Sequence, residues 1–238
     1  MLGLCGDECA ASEFHTRRSL MLYIEFTSRR PQPGVRETDN GTLSLEPFAS
    51  QLQRFHRAVL AGQSGWESSW SEDEMIFSIG RTWRLGPEPE YLTVWYTPTA
   101  GLKRIDDWDE VFRSGEADEI DKPFRELARI DRAGCYDALL DPKRQRNGIY
   151  YAEFFDPLGS DDVIRELYVK RAAAHPNLTL ALCAVRIGKL APDPGGLAVW
   201  TLPSYGALAS IARDLDGTTD PVRLETAGVY NDVGREIL

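Results

Sequence analysis

Histidine is scarce in this chain, with 3 residues in 238, and cysteine is hardly commoner, with 4. Four thiols make no disulfide framework for a chain this long. Cys5 and Cys9 form a C-x3-C pair, but no second Cys/His pair stands at a metal-finger spacing, so no metal site is expected. Cys135 and Cys183 each sit in an apolar run and read as small buried hydrophobes, which fits a reducing cytoplasm. Positive charge is also in deficit: 27 Lys and Arg stand against 37 Asp and Glu, for a net charge of −10. Nucleic acid and anionic membrane surfaces both demand a basic face, so neither is expected as a partner. No apolar run approaches the roughly 20 residues of a membrane span. The first twenty residues carry Asp7, Glu8 and Glu13 and lack the apolar centre of a signal peptide. Also missing are H-E-x-x-H, a strand-linked G-x-G-x-x-G, a P-loop and G-x-S-x-G.

What is present is ordinary for a globular chain: 42% hydrophobic and 27% charged residues. The length suits one large domain or two small ones, at roughly 150 residues each. Residues 1–20 show no periodicity and are expected to be a loosely held extension.

From Met21 onward the sequence repeats itself. Tyr23-Ile-Glu25-Phe26 matches Tyr151-Ala-Glu153-Phe154, and Leu92-Thr-Val94-Trp95 matches Leu197-Ala-Val199-Trp200. Ala133-Gly134-Cys-Tyr136 matches Ala227-Gly228-Val-Tyr230, and Arg84-Leu-Gly86 more weakly matches Arg186-Ile-Gly188. These correspondences keep their order, and their offsets change where loops belong.

Each half reads β-α-β-β-α-β. In the first, alternation predicts strands over 21–28, 75–83, 91–97 and 134–140, with helices over 44–61, 106–113 and 118–129. In the second, strands are predicted over 148–156, 179–187, 197–202 and 224–230. Helices follow over 161–174, with Ser160 as N-cap, and over 205–215. The predicted architecture is α+β: two tandem ferredoxin-like βαββαβ repeats, 21–140 and 141–238, closing as a fused, pseudo-dimeric α+β barrel.

The Tyr-x-Glu-Phe that opens each half and the Val-Trp of each third strand resemble the dimeric α+β barrel superfamily, and within it the NIPSNAP-like proteins. The likeness spans about 21–238, and its motifs are structural. The superfamily includes cofactor-free monooxygenases, small decarboxylases and cyclases, muconolactone isomerases, and haem-binding dye-decolourising peroxidases and chlorite dismutases. The resemblance therefore implies a fold and a cavity and leaves the reaction open. The Gly-x-x-Asp-Gly haem motif of the peroxidases is missing, since Asp214-Leu-Asp-Gly217 lacks its leading Gly, so no cofactor is expected.

If Leu22, Ile24 and Phe26 pack under helices, then Tyr23, Glu25 and Thr27 face the lumen, and so do Tyr151, Glu153 and Phe155. Glu25 and Glu153 are then candidate catalytic carboxylates, raised in pKa by desolvation, with Tyr23, Tyr151, Trp95 and Trp200 lining the substrate. The opposite facing is also open, and in the competing account each glutamate is braced by an arginine, Arg84 or Arg186. His56 is a further candidate base, although a helix position favours a surface role. His175, at a helix C-terminus, is explained by the macrodipole. Trp66 and Trp70, in a polar loop, are candidates to lid a ligand, Trp66 being the stronger substrate contact. The expected function is a cofactor-independent enzyme of proton-transfer, lyase, isomerase or oxygenase type, acting on a small apolar or aromatic molecule in the barrel. The alternative is a non-catalytic small-molecule-binding or assembly protein of NIPSNAP-like type, with a homodimer also open. A lumen cavity holding an inward carboxylate favours the enzyme, and a filled lumen opposes it.

Overall fold

Alternation decides the first strand. In β1 (Met21–Arg29) Leu22, Ile24 and Phe26 are fully buried, whereas Tyr23 and Glu25 between them are only partly so. That is the two-residue period of a strand with two unlike faces. The computed structural model describes residues 20–30, 74–81, 86, 89–97, 106, 109–110, 113–115, 122–123, 125–126, 128–143, 148–190, 194–214, 218–219 and 221–232.

The other strands are β2 (Glu74–Arg81), β3 (Tyr91–Thr97), β4 (Ala128–Ala138), β5 (Ile149–Pro157), β6 (Thr179–Arg186), β7 (Gly196–Leu202), β8 (Thr218–Thr219) and β9 (Val222–Asp232). The helix α1 (Asp161–Ala174) lies between β5 and β6 with the bounds that the sequence predicts. Aspartates 161 and 162 occupy its positive first turn. The helix predicted over 205–215 is shorter in the structure: a 3-10 turn, Tyr205–Ala207, and a single α turn, α2 (Leu208–Ile211). Ile211 is its one buried anchor.

Two predicted boundaries are corrected near residue 128. The helix predicted to reach Arg129 stops sooner, and the strand predicted to begin at Gly134 begins at Ala128. The end of β1 explains both, because Thr27, Ser28 and Arg29 find their partners in Ile130, Arg129 and Ala128. Asp106, Asp109, Glu110 and Arg113 are helical as predicted, as are Lys122, Arg125 and Glu126. The predicted helix 44–61, with His56, and the Trp66/Trp70 loop lie outside the described residues.

All strand pairings are antiparallel, and their order is β2-β3-β1-β4-β6-β7-β5-β9-β8, with β2 also paired to β9. Eight strands thus close into a ring, and β8 is a two-residue strand appended to β9. Among the described residues, closure pairs each of the eight ring strands on both sides, which removes the long open edges that template aggregation. Two seams complete it: Tyr136, Asp137 and Ala138 pair with Arg186, Val185 and Ala184, and Ile79, Gly80 and Arg81 pair with Asp232, Asn231 and Tyr230.

The runs β2-β3-β1-β4 and β6-β7-β5-β9 have the same internal order. Their irregularities also coincide. The register shifts after Phe26 on β1 and after Phe154 on β5, passing over Asp131 and Glu225 on the facing strands. It shifts again on β2 between Met75 and Phe77, and on β6 between Leu180 and Leu182. Such bulges bend a strand and raise its twist, as curving a sheet into a barrel requires.

The faces sort into two cores. One strand face supplies Leu22, Ile24, Phe26, Phe77, Tyr136, Tyr150, Phe154 and Tyr230 to a single cluster drawn from both four-strand runs. Phe26 and Phe154 meet at 6.1 Å between ring centroids, and Phe77 and Tyr150 at 5.7 Å, so this cluster is the lumen. The opposite face of β5, β6 and β7 packs beneath α1 in a second cluster with Ile164, Tyr168 and Trp200. Among the described residues no helix is long and apolar enough to cross a membrane.

Gly86 adopts φ +97°, and a Cβ there would press into the Ala227 carbonyl oxygen and the Gly228 Cα on β9. Gly86→Ala is therefore expected to cost about 1–3 kcal/mol of stability from backbone strain alone. A urea midpoint matching the wild type would contradict this close approach.

Candidate functional site

The facing assigned from the sequence is reversed in the structure. Leu22, Ile24 and Phe26 look into the lumen with Tyr150, Ala152 and Phe154, while Tyr151, Glu153 and Phe155 lie on the outer face under α1. Tyr23 and Glu25 alternate with the lumen residues and so share the outer face of the first run. Trp95 and Trp200 follow them outward, each donating its indole N–H at 3.2 Å to the glutamate of its own run, Glu25 and Glu153 respectively. The proposed lumen carboxylates and lumen tryptophans are therefore corrected to outer-face pairs.

The physical reason lies in what each face can offer a carboxylate. The lumen presents apolar and aromatic side chains, where a carboxylate would stay unpaired at high cost. The outer face lies within reach of α1, whose buried stripe Ile164, Tyr168 and Arg171 brings a cation down onto the sheet. Both Arg171 amino nitrogens donate to Glu153 at 2.7 Å, a bidentate pair in which Glu153 is 0% exposed. The guanidinium also lies 5.2 Å from the Tyr168 ring centroid and 5.1 Å from that of Trp200. For Glu153, Arg171 thus takes the bracing role expected of Arg186, while Arg84 lies outside the described residues. Burial, then the charge of Glu153, pushes the Tyr151 phenol well up, and burial, then Glu25, does the same to Tyr23. Both phenols remain protonated at neutral pH.

The network continues to the surface. Arg171 Nε lies 3.8 Å from Asp214 Oδ2, and the same oxygen lies 2.5 Å from His175 Nε2. His175 follows the last turn of α1, and its backbone N–H is held by the Arg171 and Ala172 carbonyls. Asp214 follows α2. The imidazole lines a surface groove of about 580 Å³ formed by Ala174–Leu178 on one side and Pro203, Ser204, Ala207 and Ser210 on the other. Its walls are largely apolar, with His175, Asn177 and two serines as polar groups. Among the described residues no Lys or Arg lines it.

Sequence reasoning missed this site. His175 was noticed only as a helix-end charge, and Asp214 only as part of an incomplete haem motif. The two are 39 residues apart, in segments joined only by the fold. Among the described residues no group of three or more His, Cys, Asp or Glu is placed to hold a metal ion. Cys135 and Cys183 are free and buried, and burial pushes both thiols up.

Closed antiparallel strands with an outer helix make this an α+β protein with a ferredoxin-like strand arrangement. Two solved structures are similar to it. One, described as a chlorite dismutase, is 13% identical, aligns over 92% of this chain and 97% of its own, and gives a TM-score of 0.46. The other, a dye-decolorizing protein from V. cholerae, is 9% identical over 89% of this chain and 93% of its own, with a TM-score of 0.43. The sequence matches no protein-family model and no curated protein.

Proposed function

We propose that the chain is a tandem duplication of one ferredoxin-like unit, and that it is a small-molecule-binding protein whose ligand lies outside the barrel, in the groove beside His175. The shared strand order and the matching bulges after Phe26 and Phe154 support the duplication. The observation that carries the binding reading is the groove itself: about 580 Å³, apolar walls, and one imidazole already fixed by Asp214. Such a concave, mostly apolar site with few oriented polar groups suits a small aromatic molecule. The lumen competes poorly for that role, because Phe26, Tyr150 and Phe154 fill it and Glu153 is spent on Arg171.

A second reading places proton-transfer chemistry, without a cofactor, in the same groove. The Asp214 contact favours it, since a carboxylate behind an imidazole is how a general base is oriented. Neither reading needs the lumen.

Amide chemical-shift mapping with p-cresol, 4-methylanisole and 4-methylbenzoate, at millimolar concentration, tests the binding reading. Shifts are expected over 174–178 and 203–210. Shifts centred on Ala152 and Phe154, or none with any of the three probes, would remove it.

A further inference from the structure

The groove has a hydrogen-bonding sense. His175 Nε2 faces the Asp214 carboxylate at 2.5 Å, and an ionised carboxylate only accepts. In the neutral imidazole the proton then sits on Nε2, and Nδ1 is left as a bare acceptor. Nδ1 has no partner among the described residues, and His175 lines the groove. Ser210 points the same way, because its Oγ donates at 2.7 Å to the Ala207 carbonyl and so keeps only lone pairs to offer. Pro176, Leu178 and Pro203 line the groove, and among the described residues no guanidinium or ammonium lines it to receive an anion.

Resting on the groove as the binding site, we propose that its ligand is an uncharged aromatic hydrogen-bond donor, a phenol or its close equivalent, whose O–H is received by His175 Nδ1. Asp214 acts as a positioning residue: it selects the tautomer and does not touch the ligand. Arg171, clamped by Glu153, brings its Nε to 3.8 Å from the same Asp214 oxygen that faces His175. The buried ion pair thereby connects to the specificity of a site at the surface. The groove selects for donors and against acceptors, and it selects most strongly against carboxylates, which would meet a lone pair with no cation to offset it.

The test begins without a ligand. Long-range 15N–1H correlation of the His175 imidazole should show the proton on Nε2, and a proton on Nδ1 overturns the proposal. With probes, p-cresol should bind at least about ten-fold more tightly than 4-methylanisole, the equivalent of one neutral hydrogen bond. 4-Methylbenzoate should be weaker still. Equal affinities of p-cresol and 4-methylanisole, with shifts mapping to the groove, overturn the donor preference and leave the groove standing. Shifts mapping elsewhere, or none, overturn both. Asp214→Asn supplies the positioning readout. Its amide can donate to Nε2, which moves the proton to Nδ1, where the oxygen of either probe can accept it, so the roughly ten-fold preference for p-cresol over 4-methylanisole should disappear. Retention of wild-type probe preferences by Asp214→Asn, with a wild-type-like amide spectrum, shows that Asp214 does not set the tautomer.

Discussion

Arg171→Met is expected to lower stability by about 3–5 kcal/mol, the range for stranding one member of a buried ion pair. Glu153 is 0% exposed, and without the guanidinium it keeps the 3.2 Å indole N–H of Trp200 but no cation among the described residues. A loss of that size is a large share of the roughly 5–15 kcal/mol that holds a domain together. The companion change separates pairing from packing. Glu153→Leu added to Arg171→Met should recover most of the loss, because replacing both charges with apolar groups of similar volume is often neutral or better. Urea midpoints and slopes of the two single variants and the double would decide it. A cost for Arg171→Met below about 1 kcal/mol, the worth of an exposed pair, would mean that the carboxylate finds water or another partner.

Phe154→Ala should cost about 3–5 kcal/mol, the usual range for emptying a buried aromatic site. Phe154 is 1% exposed, and its ring meets Phe26 from the other four-strand run at 6.1 Å. The informative quantity is the coupling. Phe26→Ala and Phe154→Ala remove the two sides of one contact, so their effects should depart from additivity by about 0.5–3 kcal/mol. Strict additivity would place the two rings in separate environments and contradict a shared lumen core. The same double variant opens space in the barrel, and gain of apolar-ligand binding there would show that the lumen is kept solid by these side chains alone.

Much of this architecture was legible from periodicity. The strand β3 and the helix α1 fall where alternation and the Ser160 signal place them, and the paired motifs fall at paired positions in the ring. Which face turns inward was not legible, for a reason visible in β5. Tyr150, Ala152 and Phe154 on one side and Tyr151, Glu153 and Phe155 on the other are both mostly apolar, and all six are buried. When both faces of a strand are covered, alternation carries no sign, and the position of a cation on a neighbouring element decides. That cation was Arg171, 18 residues from Glu153 and inside a helix whose exposed face is also charged. The site is further from view. His175, Asp214 and the groove come from the end of α1, the β7–α2 connection and the residues around α2, which no local spacing joins. The segment 205–215 shows a related limit: Gly206 and a stretch of small residues give helical periodicity, but only Ile211 finds a buried seat, and one turn results.

The ring of strands has a consequence in time. β9 pairs with β5 on one side and with β2 on the other, so one of the two closing seams joins the last strand to a strand near the beginning. Each four-strand run can assemble from its own neighbourhood, but the first has Leu22, Ile24 and Phe26 uncovered until the second run has been synthesised, and the ring closes only when β9 swings into place. Non-local pairings of this kind are the slow ones in folding. In that interval the chain is a half-finished sheet with an apolar face and a free edge, and this nascent form is the one in which a chaperone would meet it.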